Sequence, residues 1–188
     1  MKNCEALMIG GSAGSLEVLL KVLPDLDVAL HFPIIIVLHR KAGKDSILTD
    51  LLSAKTNLPV KELQEKEKIV PGNLYIAPPN YHVLIENNKT FSLDASEKIN
   101  FSRPSIDVAF ESAAEIFKEN LVGLVLSGAN GDGTLGLQKI KQYGGKALVQ
   151  DPETAVVTYM PEYAMEHVSV DAVLAPEEMA LYINQLSQ

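Results

Sequence analysis

One cysteine, Cys4, is all that the chain contains, so no intrachain disulfide can form and a cysteine-rich metal site is excluded. Arginine is nearly missing as well: only Arg40 and Arg103 occur. Sixteen basic residues face 24 acidic ones, a formal charge of −8. That balance lacks the basic footprint of a non-specific nucleic-acid binder and disfavours an anionic membrane surface. There is no long hydrophobic run. The longest aliphatic stretch, IIIVL at 34–38, falls far short of the roughly 20 residues a membrane helix needs. Glu5 interrupts any apolar segment near the N-terminus and no cleavage-type stretch follows, so a secretory signal is not expected. These absences predict a cytoplasmic protein with no nucleic-acid partner and no membrane insertion. Repeats, low-complexity tracts and linkers are missing too. With 188 residues and 47% apolar content, the expectation is one domain, 1–188, with its own buried core.

What is present is a regular alternation of short apolar runs and helical patterns. ALMI (6–9) reads as a buried strand, followed by a helix near 16–23 with Leu16, Leu19, Leu20 and Leu23 at helical spacing and Pro24 as its stop. IIIVL (34–38) is apolar on both faces, as a central parallel strand should be. A helix near 46–54 and a short strand near 58–60 come next. Residues 73–94 break the rhythm: NLYIA, HVLIE and TFSLD read as three consecutive strands, with Pro78 and Pro79 placing the segment at a sheet edge. Asn87–Asn88–Lys89 reads as the hairpin turn, asparagine being tolerant of positive φ. Ser105 is the expected N-cap of a helix near 106–118. LVGLVL (121–126) is a second strongly buried strand. A helix near 134–143 ending at Gly144–Gly145, strands KALVQ and VDAVL, and a helix from Pro176 complete the chain. The predicted fold is α/β: a three-layer, doubly wound, mainly parallel sheet with an antiparallel hairpin insertion near 73–94.

In an open parallel sheet, ligands bind beyond the carboxyl ends of the strands. The residues that directly follow the buried strands therefore carry the most information. After the first comes GGSAGS with Ser12; after IIIVL comes His39; after LVGLVL comes SGANGDG with Asp132. Serine, histidine and aspartate are the parts of a charge-stabilised hydrolytic triad. Residues 10–14 form a G-x-S-x-G pattern between a strand and a helix, which can present a hydroxyl on a tight turn. Each residue also has a plainer reading. Ser12 and Asp132 could cap helices, and His39 could be a hydrogen-bonded structural residue. His31 precedes its strand, and His82 and His167 lie away from the central strands. Asp151 is the alternative carboxylate, although Pro152 suggests a turn role. Backbone N–H groups of Ala13 and Ala129 are candidate oxyanion donors. A dinucleotide reading stays open through Arg40, yet the glycines at 10, 11 and 14 miss the G-x-G-x-x-G register and no P-loop lysine follows.

Six segments together carry a family resemblance: IGGSAGS (9–15), VLHR (37–40), PGNLYIAPPNYH (71–82), RPSIDVAF (103–110), LSGANGDGTLG (126–136) and QDPETA (150–155). Over nearly its whole length the chain resembles the catalytic domain of the bacterial chemotaxis protein-glutamate methylesterases (CheB-type). The resemblance implies a serine hydrolase whose triad is Ser12, His39 and Asp132, acting without metal or organic cofactor on methylated chemoreceptor cytoplasmic helices, with glutamine deamidation by the same route. A separate regulator or methyltransferase is a further partner it allows. Ala13 stands where the family usually has threonine, Ser15 replaces a second glycine, and Ala129 replaces a frequent methionine. The sequence starts at the catalytic domain, without the receiver domain that members often carry. Arg40 and Arg103, with Lys41 and Lys44, are candidates for a basic rim that meets a glutamate-rich helix. A non-catalytic scaffold of the same fold stays open at this point.

Overall fold

A computed structural model of the chain describes residues 4–40 and 45–187. Its strands are β1 (Ala6–Gly11), β2 (Ile34–Leu38), β3 (Val60–Glu62), β4 (Leu74–Ile76), β5 (His82–Ile85), β6 (Phe91–Asp94), β7 (Leu121–Val125), β8 (Lys146–Gln150) and β9 (Ala172–Leu174). The helices are α1 (Ser15–Val22), α2 (Asp45–Ser53), α3 (Ile106–Phe117), α4 (Thr134–Gln142), α5 (Tyr159–His167) and α6 (Pro176–Gln185). Seven strands form one parallel sheet in the order β3-β4-β2-β1-β7-β8-β9, while β5 and β6 pair separately as an antiparallel hairpin.

Strand periodicity sorts the apolar side chains into two cores. Leu7, Ile9, Ile34 and Ile36 face one side, where they meet Leu19 of α1 and Ile183 of α6. Met8, Ile35 and Val37 face the other, against Phe110 of α3, Leu137 of α4 and Met160 of α5. Three layers result, and β1, β2 and β7 are buried along their whole length.

Three readings of the sequence need adjustment. NLYIA does not open the insertion: β4 pairs in parallel with both β2 and β3, so the hairpin consists of β5 and β6 alone. Leu74, Tyr75 and Ile76 are all fully buried, the two-face pattern of an interior strand, and Pro78–Pro79 then end it. In the hairpin turn the positive φ of 57° belongs to Lys89, not to an asparagine. Helix α5 was not expected at all. Pro161 obscures it, but sits in the first helical turn, where a missing N–H costs nothing.

β1 is the hinge of the architecture. Its neighbours are β2 on one side and β7 on the other, so the loops leaving β1 and β7 run in opposite directions and open a crevice at the carboxyl edge.

Candidate active site

The turn from β1 into α1 is shaped by its small residues. Gly14 holds φ at 85°, and a Cβ there would lie 2.6 Å from Cβ of Val156 and 2.8 Å from Oγ of Ser127. No L-residue with a side chain fits this position without strain. The buried Ser127 hydroxyl donates to the Ala13 carbonyl (2.7 Å), and Ser12 N–H donates to the Ser127 carbonyl (2.9 Å). Gly128 lets the β7 loop come close: a Cβ on it would stand 3.1 Å from Cβ of Ser12. The turn is thus fastened through its backbone, and the Ser12 side chain is left partly exposed at the crevice.

The sheet register brings His39 alongside. Gly11 is paired with Leu38, and His39 N–H donates to the Gly11 carbonyl at 3.0 Å. Ser12 and His39 are therefore the next residues on strands about 4.8 Å apart. His39 Nε2 lies 2.6 Å from Oδ2 of Asp132. Among the described residues, neither Ser12 Oγ nor His39 Nδ1 has a hydrogen-bond partner, so the serine–imidazole bond is open here. Such bonds commonly close only around bound substrate.

Asp132 is held on every side by donors. Oδ1 accepts from the Ser105 hydroxyl (2.9 Å) and the Asp107 N–H (3.0 Å), and Oδ2 from the Ile106 N–H (2.7 Å) as well as from His39. The carboxylate thus occupies the N-terminus of α3, where the orphan N–H groups and the helix dipole favour an anion. Burial works against its charge, but the His39 bond and the N–H groups of Asp107 and Ile106 outweigh this and hold the carboxyl down to about 2.

The favour is returned. Asp107, in the first turn of α3, points Oδ1 at the N–H groups of Gly133 (2.7 Å) and Gly136 (2.9 Å), at the start of α4. Each helix is capped by the aspartate of the other. Burial and the adjacent Asp132 charge push the Asp107 carboxyl up to about 7. Between about pH 4 and 7 the native state therefore keeps a proton that the unfolded chain has lost. The stability contributed by this carboxyl is full below about pH 4 and is lost as pH rises to 7. Asp107→Asn removes the titration. Its Tm relative to wild type is expected to climb from about pH 4 to 7 and then level off, which melts across that range would show.

This arrangement matches a known family. A family model described as CheB methylesterase covers residues 7–183. The chain belongs to the CheB methylesterase family. A relative from Leptospira interrogans is 48% identical over 99% of this chain and 96% of its own length. Relatives from Thermotoga maritima and Methanosarcina acetivorans are named protein-glutamate methylesterase/protein-glutamine glutaminase (the latter numbered 2). They are 38% and 36% identical, covering 89% and 93% of this chain but about half of their own length, 50% and 51%. The crystal structure of the Thermotoga maritima CheB methylesterase catalytic domain superposes with a TM-score of 0.93 at 35% identity, covering 98% of this chain and 99% of that one.

Within this CheB fold the remaining candidates fall into place unevenly. Ala13 follows Ser12 on the same turn and Ala129 sits on the loop after β7, and among the described residues their N–H groups have no partner. Arg40 and Arg103 both line a cleft beside His39, yet each also has a local duty. Arg40 donates to Glu62 (2.7 Å) and to the Ala77 carbonyl (3.0 Å). Arg103 donates to the carbonyls of Ala95 and Ser96. Lys41 and Lys44 lie outside the described residues. Asp151 caps a short turn by accepting from the Glu153 N–H (3.0 Å), as Pro152 suggested. Cys4 is buried, which pushes its thiol up to about 12 and makes it a poor nucleophile.

Sequence reasoning missed the supports. His82 is buried; its Nδ1 accepts from the Ser105 N–H (3.1 Å) and its Nε2 donates to the Glu97 carbonyl (2.9 Å). It fixes the residue that donates to Asp132. The RPSIDVAF segment was the available signal, since it supplies Ser105, Ile106 and Asp107 together.

Proposed function

We propose that this chain hydrolyses γ-methyl esters of glutamate in a protein substrate, with Ser12, His39 and Asp132 as the triad. The observation that carries the reading is the 2.6 Å His39–Asp132 bond, made directly beside Ser12 at the crevice of the sheet. Asp132 takes the Nε2–H, which leaves Nδ1 as the basic nitrogen. Nδ1 removes the Ser12 proton as Oγ attacks the ester carbonyl, then delivers it to the departing methoxide, so methanol leaves. Water, deprotonated by the same nitrogen, cleaves the acyl-enzyme, releasing glutamate and restoring Ser12. The N–H groups of Ala13 and Ala129 stabilise the oxyanion of both tetrahedral intermediates, and the N-terminus of α1 adds its dipole. A glutamine side chain follows the same course with ammonia as the leaving group.

The names carried by the relatives support glutamyl esters as the substrate class. The cytoplasmic helices of methylated chemoreceptors are the proposed partner, and carboxyl methylation is the class of reaction that must supply the ester. The cleft of about 420 Å³ beside His39 is lined by Lys98, Arg40 and Arg103, with no acidic residue among the described ones, and so suits a glutamate-rich segment. Arg40 is paired with Glu62 of β3, whereas Arg103 is held by the Ala95 and Ser96 carbonyls and keeps its charge for the cleft. Methanol release from a methylated receptor fragment is the test. The protein is expected to release it catalytically; a stoichiometric ceiling or no release at all sinks the proposal.

A further inference from the structure

A second cleft, of about 360 Å³, opens on the other side of the His39–Asp132 pair, and its chemistry is reversed. Asp107 and Asp132 lie in its lining, Tyr159 and Tyr163 belong to its wall, and no lysine or arginine lines it among the described residues. The wall is built by helical spacing. Tyr159, Tyr163 and His167 stand four residues apart on α5, with ring centroids 5.6 Å and 4.0 Å from one to the next. A Cβ on Gly131 would sit 2.8 Å from the Tyr163 ring, so this wall begins at the loop that carries Asp132.

Two atoms in the lining are short of hydrogen bonds. Thr134 is 2% exposed, yet its Oγ1 has no partner among the described residues. Asp107 Oδ2 receives a single long bond from Asn100 Nδ2 (3.3 Å). A buried hydroxyl without a partner costs free energy that a bound donor would recover.

Phe101 divides the two clefts, both of which it lines together with Asn100 and Asn130. It is 99% exposed, and it and Asn100 are consecutive non-glycine residues with positive φ (63° and 51°). The turn is braced by paired bonds between Ile99 and Ser102, and the Arg103 guanidinium ties the residue after it back to the Ala95 and Ser96 carbonyls. An aromatic ring held outward on a strained, braced turn beside a reaction centre fits a contact made with a partner.

We propose that the aromatic cleft is a subsite for an arginine side chain of the protein substrate, lying across Phe101 from the ester. This rests on the hydrolase reading above and deepens it. The guanidinium plane stacks on the tyrosine wall, its N–H fork reaches Asp107 and Thr134, and its charge answers the buried Asp132 carboxylate. The substrate segment is then read by opposite charges on the two sides of Phe101, acidic toward His39 and basic toward Tyr163. That pattern selects against purely acidic helices as well as for the right one.

Binding tests the subsite without turnover. Labelled receptor-derived peptides with glutamine at the scissile position are titrated into Ser12→Ala protein by fluorescence anisotropy. Arginine replaces alanine in turn at each position within about two helical turns of that glutamine. In one register arginine is expected to tighten binding by about tenfold or more, as a desolvated cation–π and charge contact should. Tyr163→Leu is expected to erase that gain, and Tyr159→Leu, at a half-exposed position, to reduce it. Arginine that gains nothing in any register, or a gain that survives both replacements, overturns the inference. Methanol release by the unaltered protein, measured alongside, judges the hydrolase reading separately, so either can fail without the other.

Discussion

Ser12→Ala is expected to lower the rate of methanol release by about 10⁴- to 10⁶-fold while leaving the thermal transition where it was. The rate loss follows from removal of the nucleophile, since the imidazole and carboxylate have nothing to activate and only binding and the oxyanion donors remain. The unchanged stability follows from geometry. Ser12 is fixed by its backbone N–H and carbonyl, both of which alanine keeps, and its hydroxyl has no hydrogen-bond partner among the described residues. The change at a partly exposed position is expected to stay within about 0.5 kcal/mol. Single-turnover kinetics and a melting curve on one preparation read both effects. Activity within tenfold of wild type would remove Ser12 from the mechanism.

Asp132→Asn is expected to fail in both respects. The carboxylate accepts four bonds, from His39, Ile106, Ser105 and Asp107, so an amide must turn its NH₂ toward at least one backbone N–H. If the NH₂ faces Oδ2's partners, the imidazole is driven into the other tautomer and Nδ1 no longer accepts the serine proton; a loss of about 10⁴-fold in kcat is expected. If it faces Oδ1's partners, the Asp107 N–H is left buried and opposed. In either case α3 loses the anion at its N-terminus. The loss of the anion and the unsatisfied donor together suggest about 2–4 kcal/mol of destabilisation, a Tm fall of roughly 5–15 °C for a chain of this size. Calorimetry beside the rate assay separates this variant from Ser12→Ala. Equal melting temperatures would mean that the cap contributes little.

The contrast shows what was legible in the sequence. Strands buried on both faces announce themselves as unbroken aliphatic runs, so β1, β2 and β7 could be read, and with them the loops that hold Ser12, His39 and Asp132. The side-by-side placement of those loops required a strand order that no local pattern carries. β4 was misread because three residues are too few to show whether one face or two is buried. α5 was missed because its proline and modest apolar content mask the 3.6-residue period. Asp107 was invisible for a different reason. In sequence it is an ordinary acidic residue in a first helical turn, and only the crossing of α3 with α4 turns it into the cap of another helix and the neighbour of a second carboxylate.

The exchanged caps also bear on how this fold would decay under relaxed selection. A lineage with no further need for turnover could discard the hydroxyl at position 12 at once, since nothing else hangs from it. Aspartate at 132 would outlast it, retained as a fastener between two helices. On the proposed mechanism, the residue at 12 within such a lineage would tell working enzymes from silent ones, whereas aspartate at 132 would tell only that the body still holds together.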